Sequence, residues 1–377
     1  MPWKEVSTMS LRVEFVKFAQ AEGANMSVLC RQFGVSRKTG YKWLRRFKQE
    51  GEVGLQARSR RPHRSPRHTT TVTEQTIVTL RSEHPAWGAR KLRRRLHDLG
   101  HQGLPAVSTT QAILLRHGCI QPADSTAHQP WQRFEHPYPN DLWQMDFKGH
   151  FATQQQRCHP LTVLDEHSRY AVGLFACANE ATQSVQTCLT ASFRRHGLPA
   201  RMTMDNGAPW GCDAGHPYTP LTVWLLGLGI RVSHSRPYHP QTQGKDERFH
   251  RTLRAELLSR HRFGDLRECQ QRFDHWRDLY NLQRPHEALD MAVPISRYHP
   301  SPRAFPEVLP PIEYASGDIV RKVQAGGQFH FHGRTYRISK AFHGHPIALR
   351  QTQVDGQLHV LFCHQHIATI DLNCADP

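Results

Sequence analysis

His-Pro-Gln-Thr-Gln-Gly-Lys-Asp-Glu, residues 239–247, is the stretch on which the reading of this chain turns. Gly244 stands as a hinge before a helix, and Glu247 falls on that helix's first turn. Working outward, two more acids lie where strands are expected to end or to cross a sheet. They are Asp146 in Leu-Trp-Gln-Met-Asp-Phe and Asp205 in Thr-Met-Asp-Asn-Gly. Three carboxylates from three separate elements, in a strongly basic chain, imply a metal site that works on nucleic acid.

The chain has 377 residues, enough for two or three domains with at least one sizeable core. Its 49 Lys and Arg outnumber 32 Asp and Glu, a formal net charge of +17 that points to a polyanionic partner. The nine cysteines are odd in number and form no Cys-x-x-Cys pair, which fits a reducing cytoplasm rather than an oxidised secreted framework. No apolar run is long enough to span a bilayer, and Lys4, Glu5, Arg12 and Glu14 leave no room for a signal-peptide core. A cytoplasmic protein without a membrane partner is expected.

Residues 1–57 read as a helix-turn-helix. Leu11, Phe15 and Phe18 share one helical face, and Ser27 is expected to cap a short helix holding Val28, Leu29 and Phe33. After a turn at Gly34, Ser36 caps a second helix carrying Arg37, Lys38, Lys42, Arg45 and Arg46 among aromatic residues. The basic side chains Arg37, Lys38, Lys42 and Arg45 are candidate DNA contacts; a plain three-helix bundle with a solvated basic face is the alternative. Residues 58–70 form a basic, proline-punctuated linker whose Arg58, Arg60, Arg61 and Arg64 suit a path along phosphates.

A second helix-turn-helix-like unit is expected at 71–120. One helix opens at Trp87-Gly88 with Leu92, Leu96 and Leu99 as its stripe, and Ser108 caps another with Ile113, Leu114 and Leu115. Two such modules read a longer site than one. Residues 121–139, rich in Pro and His, read as a linker.

From 140 to 300 the pattern is that of an α/β domain: three strands, then helix, strand, helix, strand, helix. Trp143, Met145 and Phe147 alternate with Gln144 and Asp146, so Asp146 projects from the face opposite the apolar residues. Runs at 161–164 and 171–176 suit buried strands, and a helix over 180–196 ends at Gly197. Thr219-Pro220 starts a helix, and 265–281 forms another with Asp265 and Glu268 as a capping pair. Residues 294–311 hold six prolines, with a linker at 301–311. Short alternating runs at 312–377, with a hairpin signal at Asp355-Gly356, predict a small β-barrel.

Oxygen-only ligands that are distant in sequence suit Mg²⁺ or Mn²⁺. Two ions about 3.5–4 Å apart activate a water or a 3′-hydroxyl and stabilise the leaving oxygen of an in-line displacement. In this reading Asp146 bridges both ions, while Asp205 and Glu247 each hold one. Arg251 and Arg254 share a helical face with Glu247 and, with Lys245, are candidate phosphate contacts. The alternatives are a surface ion pair between Glu247 and Arg251, a solvated Asp146, and a turn-forming Asp205. Asp165 reads as a turn residue near the site, and the pairs Cys212/His216 and Cys363/His366 lack four ligands at zinc spacings.

In these settings Asp146, Asp205 and Glu247 resemble the Asp-Asp-Glu catalytic core of insertion-sequence transposases and retroviral integrases. Thr162-Val-Leu-Asp-Glu-His-Ser-Arg-Tyr170 and Tyr280-Asn281-x-x-Arg284-Pro285-His286 look like further segments of the bacterial transposase branch. The resemblance implies a ribonuclease-H-like fold, two Mg²⁺ or Mn²⁺ ions per site, 3′-end cleavage at terminal inverted repeats and strand transfer into target DNA. Double-stranded DNA, both element ends and target, is the implied partner. Two ends must be held together, so a homo-oligomer on DNA is expected; the need for an accessory ATPase is left open. The C-terminal region resembles the small barrel of phage Mu-like transposases.

Two departures stand out. Glu247 follows Asp205 by 42 positions, longer than in retroviral integrases, with the excess at residues 211–218, and the His-His-Cys-Cys zinc module of those integrases is missing. Both put retroviral-style end recognition in doubt. Two other functions stay open: a DNA-binding repressor with an inactive core, and a nuclease of the same fold acting on RNA–DNA hybrids, which paired helix-turn-helix units disfavour.

Overall fold

The computed structural model describes residues 7–58, 68–120, 135–211, 218–234 and 244–373. Two compact units result, Met1–His68 and Thr69–Pro377. In the first, α1 (Thr8–Ala19), α2 (Met26–Gln32) and α3 (Arg37–Glu50) enclose Phe15, Val16, Leu29, Cys30 and Leu55. Gly40 lets α3 approach: a Cβ there would stand 2.6 Å from Cys30 Sγ and 2.8 Å from Phe15 Cζ. Ser36 caps α3 as expected, accepting the Thr39 N–H at 3.2 Å. The cap of α2 is Asn25 and not Ser27; its Oδ1 accepts from the Ser27 and Val28 amides. The stripe on α1 is narrower than the spacing suggested, because of Leu11, Phe15 and Phe18 the first and last are exposed and Phe15 alone is buried.

The second unit is built on a mixed sheet. Its strands are β1 (Trp143–Phe147), the two-residue β2 (Phe151–Ala152), β3 (Arg157–Asp165), β4 (Ala171–Cys177), β5 (Arg201–Met204) and β6 (Arg231–His234). β3 runs antiparallel to β1 and β4, whereas β5 lies parallel to both β1 and β6. Thus β1 is central, flanked by a meander on one side and crossover strands on the other. α7 (Thr182–His196) and α8 (Pro220–Gly227) supply those crossovers. Thr219 caps α8 through a reciprocal capping box with Thr222. α7 starts at Thr182 rather than 180, which leaves Glu180 in the turn after β4.

Strand alternation divides the core. Trp143 and Met145 of β1 join Leu161, Val163, Val185, Leu189 and Phe193 on the α7 face. The opposite face is covered by α9 (Gly244–Leu253), a π-helical turn at Arg254–Leu258, and α10 (Leu266–Leu282). Phe249, Leu253, Phe273, Trp276 and Tyr280 pack there against Cys158, Leu164 and Leu174.

Before the sheet come three helices where two were expected: α4 (Thr71–Glu83), α5 (Ala89–Asp98) and α6 (Val107–Arg116). The α4 stripe is sparse, Ile77 and Leu80 among threonines, and gives little periodic signal. α6 follows Ala106 without a side-chain cap, so Ser108 sits inside its first turn. Leu115 and Leu99 are exposed rather than core. Leu279 of α10 packs against this trio, and Arg95 donates to Gln283 Oε1 at 2.8 Å.

The proline-rich stretch lies along the core. Ser301 N–H donates to His196 O at 2.8 Å, and Tyr298 stacks on Tyr170 at 4.0 Å. Beyond it, the expected small β-barrel is not closed among the described residues. β7 (Ile319–Lys322), β10 (Pro346–Gln351), β11 (Gln357–Phe362) and β12 (Gln365–Asp371) form an antiparallel sheet in the order β12-β11-β10-β7. β8 (Gln328–Phe331) and β9 (Arg334–Arg337) form a separate hairpin. The hairpin signal at Asp355-Gly356 does join β10 to β11. Phe342, at the foot of this region, contacts Tyr218, ring centroids 5.0 Å apart.

The segment 280–286 braces the sheet. Asn281 accepts from the Ala171 amide at 2.8 Å and donates to its carbonyl at 3.0 Å, capping the start of β4. Arg284 Nε lies 2.9 Å from Glu256 Oε1, both side chains 8% exposed. Removing one partner of a buried pair strands the other charge, at a cost of about 3–5 kcal/mol. We predict that Arg284→Met lowers stability by about that amount, and that adding Glu256→Leu recovers most of it. Urea denaturation of the three proteins checks this.

Candidate active site

Asp146 and Asp205 meet through sheet register. β1 and β5 pair in parallel, with Trp143 opposite Met202 and Gln144 opposite Thr203. Carried two residues further, that register sets Asp146 beside Asp205. Asp146 lies on the face covered by α9, and Asp205 leaves the end of β5 into Asn206-Gly207, where the Gly207 N–H donates to Asp205 Oδ1 at 3.0 Å. This turn aims the second carboxylate.

The electrostatics follow from crowding. Burial, then the Asp205 charge, with Glu180 and Glu247 adding to it, push the Asp146 carboxyl up to about 7. Burial raises Asp205 as well, opposed by the Gly207 amide and by His234. Asp246 is raised well above the usual carboxylate range by burial and by Asp146. Like charges held together in a partly dry site resist ionising together.

Glu247 is exposed on the first turn of α9, on the same face as Arg251 and Arg254, which are also exposed. Among the described residues, no three His, Cys, Asp or Glu side chains converge tightly enough to hold an ion. The donor set still suits a hard cation: oxygen atoms only, mutually repelling, with the buried Asp246 lacking a hydrogen-bond partner among the described residues.

The segment from Thr162 to Tyr170 shapes this site from behind. Thr162 stands opposite Asp146 in the β1–β3 ladder; its Oγ1 donates to Asp146 O at 3.0 Å and lies 2.8 Å from His250 Nε2. Asp165 is fully buried and serves the turn, accepting from the Asn140 and Ser168 amides at 2.7 and 2.8 Å. Glu166, 1% exposed, receives Lys245 in an ion pair at the start of α9 and the His136 amide at 2.7 Å. Lys245 therefore points inward, away from the face of Arg251 and Arg254.

Of the remaining basic candidates, Arg37, Lys38, Lys42 and Arg45 are exposed on α3, and Arg58 pairs with Glu50. Arg12, Lys42 and Arg46 surround the Trp43 ring at 4.2, 5.0 and 5.2 Å. Arg60, Arg61, Arg64, His239 and the Cys212/His216 pair lie outside the described residues. The sequence reading overlooked Glu180, whose carboxylate influences both Asp146 and Asp205 and whose Oε1 lies 2.8 Å from His159 Nδ1. It also overlooked Asp246, although its spacing from Phe249 and Leu253 puts it on the buried stripe of α9.

One acid on the central strand, a second just past the end of its parallel neighbour and a third on the helix that covers that face resemble the layout of an integrase-type core. Family comparison agrees: residues 136–240 and 228–294 each match an integrase core domain. Residues 318–376 match the C-terminal domain of IS481 family transposases, residues 11–63 a helix-turn-helix domain, and residues 39–114 a homeodomain-like domain. Similar proteins include an IS476 insertion element protein of Xanthomonas euvesicatoria, 25% identical over 61% of this chain and 65% of its own length. An IS407 insertion element protein of Burkholderia multivorans is 28% identical over 41% of this chain and 54% of its own. The chain thus spans between about half and two thirds of the curated relatives it matches. Solved structures include a simian T-cell lymphotropic virus intasome in complex with a PP2A regulatory subunit, 17% identical over 79% of this chain and 96% of that one, TM-score 0.38. The HTLV-2 integrase catalytic core in complex with magnesium is 14% identical over 43% of this chain and 99% of its own, TM-score 0.34. The chain carries an integrase core followed by an IS481-type C-terminal domain, and this combination is consistent with an insertion-sequence transposase.

The raised Asp146 carboxyl has a consequence for stability. Its folded-state value exceeds its ordinary 3.8, so the native state holds its proton longer than the unfolded chain. The stabilisation is full below 3.8 and is lost as pH rises through about 7. We predict that, in EDTA, Asp146→Asn becomes progressively more stable than the parent across that window. Thermal unfolding of both proteins at several pH values checks it; a constant difference would contradict it.

Proposed function

We propose that this chain is a DNA transposase that binds the terminal inverted repeats of a mobile element. In this reading it cleaves 3′ ends and transfers strands into target DNA with two divalent ions. The observation that carries the reading is the register-adjacent pair Asp146 and Asp205, with the acidic first turn of α9 across the same face. Asp146, Asp205 and Glu247 would hold Mg²⁺ or Mn²⁺, which when bound supplies Lewis acidity to the attacking and leaving oxygens. No protein nucleophile is needed, because the attacking oxygen belongs to water or to a DNA 3′ end.

The chain's own residues orient and position. Thr162 and His250 tie β1 to α9, and the Lys245–Glu166 pair fixes where α9 begins, so the Glu247 turn is set against the strands. Arg251 and Arg254 extend the outer face of α9 for phosphate contact beside the scissile bond. Arg37, Lys38, Lys42 and Arg45 on α3 would read or grip duplex DNA, and the basic stretch from Arg58 through Arg64 would follow the backbone. Two element ends must be joined in one event, which favours a homo-oligomer on DNA.

Single substitutions Asp146→Asn, Asp205→Asn and Glu247→Gln test the site. Each is expected to cut strand transfer of terminal DNA in Mn²⁺ by at least roughly 10²–10³, the usual loss when one preorganised electrostatic group is removed. Terminal-repeat binding, read by gel shift, should survive in all three. Normal transfer by any variant removes that acid from the site. Binding should also fall steeply with salt, by about 10³–10⁵ between 50 and 200 mM if six to ten phosphates are contacted. A flat response would mean that the basic helices face solvent.

A further inference from the structure

Asp246 lies on α9 one residue before Glu247 but faces the other way. It is 1% exposed, and neither of its carboxylate oxygens meets a hydrogen-bond partner among the described residues. Its neighbours on the helix surface are Phe249, His250 and Leu253, the stripe turned toward the sheet. His250 fixes where that stripe points. Its Nε2 lies 2.8 Å from Thr162 Oγ1, and that hydroxyl donates to Asp146 O at 3.0 Å. Asp246, one helical turn before His250, is thereby carried over β1 at Asp146, and the two acids feel each other's charge. The adjacent ammonium, Lys245, is engaged by Glu166. A buried carboxylate with no donor beside it is a costly arrangement that a cation resolves.

We propose that Asp246 is a fourth carboxylate of the cation site, with a hard divalent ion, Mg²⁺ or Mn²⁺, bound between Asp146 and Asp246 while Glu247 closes the site from its solvent side. The proposal rests on the reading of Asp146 as a cation ligand. It deepens that reading by assigning the inner wall of the site to a residue outside the Asp146, Asp205 and Glu247 set. Oxygen donors alone select magnesium or manganese over softer metals, and an added negative charge raises affinity for either.

The test needs no DNA. Metal-stripped full-length protein is titrated with MnCl₂ by calorimetry, and its thermal unfolding is followed in EDTA and in Mn²⁺. Asp246→Asn is expected to weaken Mn²⁺ binding about 10–100-fold, the range seen when groups that support a metal site are removed. It should also shrink the rise in melting temperature that Mn²⁺ produces. Asp246→Leu should lose Mn²⁺ binding in the same way, and whichever variant folds decides the matter. Unchanged Mn²⁺ affinity in Asp246→Asn, with Asp146→Asn weakened, overturns the proposal and leaves the role of Asp146 standing. Unchanged affinity in Asp146→Asn as well would remove the cation site itself. A lower melting temperature in EDTA together with parental Mn²⁺ affinity would make Asp246 a purely structural acid, and the proposal would fall.

Discussion

Repulsion between carboxylates is the constraint around which this molecule is arranged. Asp205, Glu180 and Glu247 act on Asp146, Glu180 acts on Asp205, and Asp146 acts on Asp246, all beside the central strand, and burial sharpens the effect. Left to themselves such groups would separate or take up protons. They stay together because each belongs to an element held by contacts elsewhere. Asp146 is on the central strand, Asp205 follows its parallel neighbour, and Asp246 and Glu247 share a helix tied to both the ladder and the β3–β4 turn. The stability given up here is recovered in the packing of Phe249, Leu253, Trp276 and Tyr280.

Two polar braces let that packing set the site. The pair of Lys245 with buried Glu166 joins the first residues of α9 to the turn after β3. The pair of Arg284 with Glu256 joins the end of α10 to the π-helical turn that continues α9. A helix held at both ends cannot rotate, so the choice between Asp246 inward and Glu247 outward is fixed. The α4–α6 trio rests on α10 through Leu279 and Arg95, which places a basic helical module on the same scaffold as the acids.

Much of this is legible in the sequence. Alternation in 143–147 told which face Asp146 uses, because a strand has no other way to bury Trp143 and Met145. The Asp-Asn-Gly turn, the Thr219-Pro220 start of α8 and the Asp265 cap of α10 were readable from local chemistry. What escaped was decided by distant partners. Asp165 and Glu166 look alike in sequence, yet one serves a turn and the other an ion pair, since only the fold brings Asn140 and Lys245 to them. Glu180 was counted into a helix that starts two residues later, which hid its place beside the acids. α4 carried too few apolar residues to declare its period. Barrel closure depends on pairing between strands that no local pattern records, and the hairpin β8–β9 stands apart from the larger sheet.

The central claim is that one hard cation site lies where β1, β5 and α9 meet. Iron-mediated cleavage tests it directly: Fe²⁺ replaces Mg²⁺, ascorbate and peroxide generate hydroxyl radicals at the bound ion, and mass spectrometry maps the cut backbone. The account predicts three cut clusters, around Asp146, around Asp205 and within the first turn of α9, all suppressed by excess Mg²⁺. Cuts confined to other segments, or cuts that Mg²⁺ does not suppress, would contradict it.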